Sequence, residues 1–197
     1  MAEPYRKRYG SAMPQPADTY RRRLWELALD QYGYVTTADA ARLGIPPVEL
    51  RKLAARGRLV RIDRRLYRFP DAPASARDTF MEAVLWTGPD AVLAYDAVLA
   101  LHDLALANPR SVRVATPHRV RKTHPRDDVT IITEHIPASD LTSYFQIPAT
   151  TVARALVDCR SLIMTDRLLD AAHQARRDGL LLASEYDDVV ANLTEPR

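Results

Sequence analysis

Two short clusters of basic side chains carry the clearest chemical signal in this sequence. Arg51, Lys52 and Arg56 fall within six residues, and Arg64 and Arg65 are adjacent. Guanidinium and ammonium groups donate hydrogen bonds to phosphate oxygens, and also to the two acceptors that guanine presents in the major groove of DNA. These residue types predict contact with a polyanion. Whether the two clusters lie on the same surface of the protein depends on the secondary-structure elements that carry them.

The distribution of charge along the chain supports this prediction. Residues 1–70 contain 15 Lys and Arg against 7 Asp and Glu, a net charge of +8, whereas residues 71–197 contain 13 against 18, a net charge of −5. The whole chain of 197 residues carries only +3. Charge divided in this way predicts that the N-terminal part meets nucleic acid and that the rest meets a different partner.

Two helices are predicted before the first basic cluster. Asp18 is a candidate N-cap of the first helix, and Gly33 ends that helix because glycine readily adopts the left-handed conformation of a helix C-terminus. Thr36 and Asp39 have the spacing of a capping box, which starts a short second helix. Gly44 then marks a tight turn.

A third helix carries the first basic cluster. It begins at Pro46 or Pro47, where the missing N–H costs nothing, and it ends at Gly57. Helical periodicity separates an inner apolar face from an outer, largely charged face. The predicted inner residues are Leu50, Leu53 and Ala54, and the outer residues are Glu49, Arg51, Lys52, Ala55 and Arg56.

The second basic cluster lies at the turn of a predicted β-hairpin. Residues 59–62 and 66–69 are β-prone, and Asp63, Arg64 and Arg65 separate them. Helix, helix, turn, helix and hairpin is the order of a winged helix-turn-helix. The sequence thus predicts an α+β protein in which this module precedes a mixed α/β C-terminal domain.

The domain organisation follows from composition. Residues 1–17 are basic and contain several prolines, which predicts a flexible basic arm, or simply a solvated tail. The winged helix-turn-helix spans residues 18–70, the Pro- and Ala-rich residues 71–76 form a linker, and residues 77–197 form the C-terminal domain.

In a helix-turn-helix the third helix enters the major groove. Arg51 and Lys52 are then the candidates for base edges and Arg56 for a phosphate, while the hairpin cluster suits a wing at the minor groove. Thr36 and Thr37 can donate to phosphate near the start of the second helix. The predicted DNA-binding residues are therefore Thr36, Thr37, Arg51, Lys52, Arg56, Arg64 and Arg65.

The second region alternates between helix and strand patterns. Helices are predicted over residues 78–86, 94–104, 165–177 and 184–193, with another beginning at Thr150 or Thr151; strands are predicted over residues 111–115, 129–133 and 144–147. Arg154 and Asp158 lie four residues apart on one of these helices and predict a structural ion pair.

Catalytic and metal-binding patterns are weak throughout. Arg119 and His124 have the spacing of one ribonuclease motif, but Pro117 and Pro125 flank them and oppose the helix that this motif needs. The histidines lack companion ligands at metal-binding spacing, and no phosphate-binding glycine motif occurs. We expect no enzymatic activity, no catalytic residue, no cofactor and no metal. The single cysteine, Cys159, indicates a reducing compartment and a buried position.

Four short motifs occur in the N-terminal part: Gly33-Tyr34-Val35-Thr36-Thr37, Gly44-Ile45, Gly57-Arg58-Leu59 and Leu66-Tyr67-Arg68. They resemble the N-terminal domain of AbiEi-type antitoxins, which belong to type IV toxin–antitoxin systems. Residues 91–104 and 147–158 resemble two segments of the family's C-terminal domain. The sequence departs from the family pattern at Arg65, where glycine is common, at Pro46-Pro47 and at Ala155.

The resemblance implies two roles. The winged domain binds inverted repeats in double-stranded promoter DNA, as a monomer or a dimer, and represses its own operon. The C-terminal domain supports that binding and counteracts, directly or indirectly, a toxin of nucleotidyltransferase fold. The alternative is a transcriptional regulator whose C-terminal domain senses a ligand or partner and which has no toxin. Since no apolar run is long enough to span a membrane, we expect a cytoplasmic protein.

Overall fold

The structure, a computed structural model, describes residues 16–122 and 124–195. The predicted basic arm lies outside them except for its last two residues. These belong to the first helix, which begins at Pro16 rather than at the predicted N-cap Asp18. Two sets of elements follow one another along the chain, an N-terminal unit (residues 16–70) and a C-terminal unit (residues 77–195).

The N-terminal unit has the element order of a winged helix-turn-helix. Its sheet is antiparallel in the order β1-β3-β2, so the third strand lies between the other two. The elements are α1 (Pro16–Leu29), β1 (Tyr34–Thr36), α2 (Thr37–Arg42), α3 (Pro47–Ala55), β2 (Val60–Asp63) and β3 (Leu66–Arg68).

Local sequence signals account for most of these boundaries. The capping box of α2 forms as predicted, since Thr36 and Asp39 exchange side-chain and backbone hydrogen bonds. Pro47 is the first residue of α3, and Gly57 follows its end at φ +68°. Gly33 adopts φ +85°, and a Cβ added there would lie 2.2 Å from Ala72 Cβ. This turn therefore needs glycine both for its backbone conformation and for its close packing.

A compact core holds the three helices against the sheet. Leu24 of α1, Leu50 of α3 and Phe69 after β3 are completely buried in it. Tyr34 and Leu66 instead belong to the larger core of the C-terminal unit, so the two cores meet at the β1–β3 edge. The N-terminal sheet thus contributes residues to both cores.

The C-terminal unit is built around a five-stranded mixed sheet in the order β6-β5-β4-β8-β7. β5 and β6 are parallel, as are β4 and β8, and the other neighbours are antiparallel. Its elements are α4 (Asp78–Thr87), β4 (Val92–Leu93), α5 (Asp96–Leu101), β5 (Val112–Thr116), β6 (Val129–Thr133), β7 (Leu141–Tyr144), β8 (Ile147–Thr150), α6 (Val152–Asp158), α7 (Thr165–Arg177) and α8 (Ala183–Thr194). The C-terminal unit is mixed α/β, as predicted, and the chain as a whole combines helices with strands.

Two predicted elements of this unit are wrong in detail. Of the single strand expected over residues 144–147, only the two ends lie in strands, since Tyr144 ends β7 and Ile147 begins β8. Phe145 and Gln146 between them form a two-residue hairpin turn, with φ of 52° and 62°. Positive φ at both positions is the geometry of a tight β-hairpin turn. The helix expected over residues 94–104 is shorter, because Tyr95 and Asp103 have positive φ on either side of α5.

The predicted ion pair on α6 is present and is part of a larger network. Arg154 Nε lies 2.8 Å from Asp158 Oδ2, and the same guanidinium also contacts Glu134 and Asp140. One arginine thus joins α6, the end of β6 and the short 3₁₀ turn before β7. Among the described residues, no helix is long and apolar enough to cross a membrane.

Candidate nucleic-acid interface

Helix α3 presents its basic side chains to solvent, as its periodicity predicted. Leu50 and Leu53 on the inner face of the helix are buried, whereas Arg51, Lys52 and Arg56 are exposed. The helix starts without a side-chain cap, at Pro46. The buried leucines fix the rotation of the helix and therefore the direction of the three basic residues.

The three basic residues of α3 differ in what they already contact. Lys52 Nζ lies 2.7 Å from Glu49 Oε1, one helical turn earlier. Within residues 16–122 and 124–195, the Arg51 and Arg56 guanidinium groups have no hydrogen-bond partner. Arg51 keeps all five N–H donors available to an outside ligand, and Lys52 must share its ammonium group with a carboxylate.

Thr36 and Thr37 lie at the junction of β1 and α2, where the fold already uses their polar groups. The Thr36 hydroxyl donates to Asp39 Oδ2 (2.8 Å) and accepts from the Asp39 N–H (3.1 Å). The Thr37 N–H donates to the Arg65 carbonyl at 3.0 Å. A phosphate that accepts a hydrogen bond from the Thr36 hydroxyl must therefore displace the bond from this hydroxyl to Asp39 Oδ2.

The wing is the turn between β2 and β3, and it presents the second basic cluster. Arg64 and Arg65 are both exposed, and the Arg64 N–H donates to Asp63 Oδ1 at 2.5 Å. The strand register shifts between Arg61 and Asp63, which marks a bulge at the end of β2. Because Arg65 also accepts the Thr37 hydrogen bond, the structure brings the wing turn and the start of α2 together.

Two further basic residues join the α3 and wing clusters, and the sequence prediction did not include them. Arg58 follows the end of α3, Arg61 lies on β2, and both are exposed. The signal was present in the sequence, because residues 56–65 contain five arginines and one acidic residue. The candidate interface therefore includes exposed arginines between α3 and the wing as well as those on the two elements.

The base of the wing and strand β1 are each fixed to the C-terminal unit by a half-buried hydrogen bond. The indole N–H of Trp86 donates to Asp63 Oδ2 at 2.6 Å, and the Tyr34 hydroxyl donates to Glu82 Oε2 at 2.6 Å. Burial and this hydrogen bond to Glu82 raise the pKa of Tyr34. These contacts were not visible in the sequence, since Asp63 and Trp86 are 23 residues apart.

The other candidates for chemistry lie away from this interface or lack the geometry they need. Arg119 and His124 lie in a segment with no helix among its described residues, so the ribonuclease arrangement is not formed. Cys159 is completely buried, and burial raises the pKa of its thiol to about 12. A thiol in this environment stays protonated and packs as a small apolar side chain.

The segment that carries this interface is similar to a known protein family. Residues 22–70 match the model of a family described as "Transcriptional regulator, AbiEi antitoxin". This segment therefore resembles an AbiEi antitoxin domain, and it is called the AbiEi domain below. The match confirms the resemblance that the motifs between Gly33 and Arg68 indicated. It covers about a quarter of the chain, and every predicted DNA-binding residue lies within it.

Beyond the AbiEi domain the comparisons are less informative. The motifs at residues 91–104 and 147–158 lie outside the matched segment, so their resemblance stays a prediction. The crystal structure of the RV2827C protein from Mycobacterium tuberculosis is similar at 19% sequence identity and a TM-score of 0.48, covering 90% of this chain and 78% of that chain. No curated protein matches the chain.

Proposed function

We propose that this protein is a transcriptional regulator that binds double-stranded DNA through its AbiEi domain. One observation carries the proposal: the segment that matches a regulator family also exposes basic side chains on α3, after its end, on β2 and at the wing. Helix α3 has nine residues and exposes Arg51, Lys52 and Ala55 on its outer face. The major groove of B-form DNA is wide enough to admit a helix of this kind.

The two halves of this surface have different roles in the proposal. The N–H donors of Arg51 are not used within the described chain, and Arg51 reads a guanine edge in the major groove. Lys52 also binds a base edge, once its ammonium group has given up its contact with Glu49. Arg56 binds a phosphate. Arg64 and Arg65 follow the minor groove or its phosphates, where a positively charged wing is favoured. Thr36 and Thr37 stay predicted phosphate contacts.

The proposed biological role is that of an antitoxin. The protein represses its own operon by binding inverted repeats as a monomer or dimer, and its C-terminal unit counteracts a toxin of nucleotidyltransferase fold. The family description and the motifs after residue 90 support this role. The net charge of −5 over residues 71–197 suits that unit to a partner other than DNA. The proposal places the protein in the cytoplasm.

Footprinting on the protein's own promoter tests the DNA-binding role. Arg51→Ala should weaken binding about 5- to 150-fold and relax specificity at one base pair, since a bidentate contact to guanine contributes about 1–3 kcal/mol. Arg177→Ala, on α7, is the control with the same change of charge. Equal footprints for Arg51→Ala and wild type would show that Arg51 reads no base, and an affinity independent of salt would overturn phosphate contact altogether.

A cavity in the C-terminal unit favours the alternative, a regulator that senses a small molecule. A space of about 330 Å³ is lined by residues of β4, β5, β7 and β8 and of the segment after β6, among them Val92, Ala115, Ile136 and Leu141. That volume is within the range of small-molecule sites. Co-expression with a neighbouring nucleotidyltransferase gene separates the two roles, because only an antitoxin relieves the toxin's growth arrest.

A further inference from the structure

The connection between β5 and β6 is a basic segment within an otherwise acidic unit. Among residues 117–122 there are three cations, Arg119, Arg121 and Lys122, and no acidic residue. β5 and β6 are parallel, so this connection must return along the sheet to begin β6 at the other end. It makes the return without a helix in its described part and lies along α4, the helix that carries Trp86.

Two cations anchor this segment to α4. Lys122 Nζ donates to the Trp86 carbonyl and lies 4.6 Å from the centre of its indole ring. Arg126 forms ion pairs with Glu82 of α4 and with Asp128. The connection is therefore held at its middle and at its end, and its position relative to α4 is defined.

The same anchor places the segment beside the wing. Trp86, which Lys122 contacts, donates its indole hydrogen bond to Asp63 at the base of the wing. Burial lowers the pKa of Lys122, while the Asp63 carboxylate raises it and the Arg65 guanidinium lowers it. Trp86 thus links the Lys122 anchor to the base of the wing through two hydrogen bonds.

Arg119 and Arg121 precede this anchor and are both exposed. Neither guanidinium has a hydrogen-bond partner in the part of the chain that the structure describes. Arg121 directly precedes Lys122 in the sequence, and Arg119 lies three residues before it. Further positive charge in the region of this anchor and of the basic wing is electrostatically unfavourable in the free protein. The arrangement becomes favourable when a polyanion lies against both segments.

We propose that Arg119 and Arg121 bind DNA phosphates next to those contacted by the wing, so that the C-terminal unit contributes a second backbone-binding segment. This inference rests on the proposed DNA-binding function and extends its surface beyond the AbiEi domain. Lys122 is a positioning residue, because it holds the segment against Trp86. Such contacts strengthen binding to any duplex and carry no base specificity.

The salt dependence of binding tests this inference. The double variant Arg119→Ala/Arg121→Ala and the wild type are titrated with a promoter duplex and with a scrambled duplex of equal length, over about 50 to 200 mM salt. Two lost phosphate contacts should reduce the slope of log K against log salt by about 1.8 and weaken binding about 60-fold at about 0.1 M salt, equally for both duplexes. Arg119→Lys/Arg121→Lys keeps the charge and should keep the slope.

The matched control is Arg167→Ala/Arg177→Ala, which removes the same charge from α7, a helix packed against α6 and α8. An Arg119/Arg121 slope equal to that of this control would overturn the inference and leave the proposed function intact. Loss of binding to the promoter duplex alone would also overturn it, since it would indicate base recognition. A wild-type protein that binds neither duplex would overturn the proposed function together with this inference.

Discussion

The hydrogen bond from Trp86 to Asp63 should measurably stabilise the joined structure of the two units. The donor is a buried indole, 5% exposed, and the acceptor is a half-buried carboxylate at the base of the wing, 2.6 Å away. Trp86→Phe keeps an aromatic ring in the core and removes the N–H. The Asp63 oxygen then loses its donor and must find water at the junction.

The size of the effect follows from the charge and burial of the pair. A hydrogen bond to a charged group contributes about 1.5–3 kcal/mol to stability. Because Asp63 keeps access to solvent, we expect the lower limit, about 1.5 kcal/mol. For a chain of this length each kcal/mol changes Tm by about 2–4 °C, so Tm should fall by about 3–6 °C.

A double-mutant cycle isolates this hydrogen bond from other consequences of the substitutions. The free energy of unfolding is measured by urea denaturation for wild type, Trp86→Phe, Asp63→Ala and the double variant. The coupling energy between the two positions should be about 1.5 kcal/mol. Trp25→Phe is the control, because Trp25 packs edge-on against Phe69 at 5.0 Å and its indole N–H has no partner among the described residues.

A coupling energy below about 0.5 kcal/mol would refute this reasoning, since independent sites are additive to within that error. The same conclusion would follow if Trp25→Phe and Trp86→Phe lowered Tm equally. In that case loss of ring volume, rather than loss of the hydrogen bond, would account for the destabilisation.

Two further predictions concern the turn after α1 and the half-buried histidine near the β7–β8 turn. Gly33 has φ +85°, and a new Cβ would lie 2.2 Å from Ala72 Cβ. Gly33→Ala should therefore lower the free energy of unfolding by about 2–5 kcal/mol, as measured by chemical denaturation. Burial and the positive charge of Arg77 lower the pKa of His102, while Asp103 raises it. The unfolded chain therefore binds the His102 proton more readily, and stability should decrease as pH falls below the ordinary pKa of histidine towards the folded pKa.

Each of these predictions has a control. Gly57 has φ +68°, and an added Cβ would have no heavy atom within 4 Å. Gly57→Ala should therefore lose stability only through backbone strain, and less than Gly33→Ala. Equal losses at Gly33 and Gly57 would contradict the packing argument. His102→Gln should flatten the dependence of stability on pH, whereas His118→Gln, at an exposed position, should not. Parallel curves for wild type and His102→Gln would show that His102 is not responsible.

Several features of the AbiEi domain could be predicted from neighbouring residues. The capping box of Thr36 and Asp39, the start of α3 at Pro47 and its end before Gly57 depend on contacts within one or two helical turns. The exposure of Arg51 was also predictable, because helical periodicity places it outside the inner face that Leu50, Leu53 and Ala54 form. Whether the predicted residues bind DNA stays a prediction.

Other features depend on residues that are far apart in the sequence. β4 has only two residues and is a strand because it pairs with β5 on one side and β8 on the other. The prediction of a single strand over residues 144–147 was wrong, because apolar side chains also occur in turns. The apolar Phe145 is exposed there, and hydrogen bonds across the hairpin, rather than hydrophobicity, decide the backbone conformation.

The helices of the N-terminal unit, the outer face of α3 and the basic character of the wing can all be derived from the order of the amino acids, because they depend on short-range backbone preferences and on periodicity. What holds the wing, and what lies beside it, is established only in the folded chain. Asp63, Trp86 and Lys122 are separated by tens of residues, and no local pattern links them. They meet because burial of the two joined cores brings α4 against the wing and the β5–β6 connection against α4.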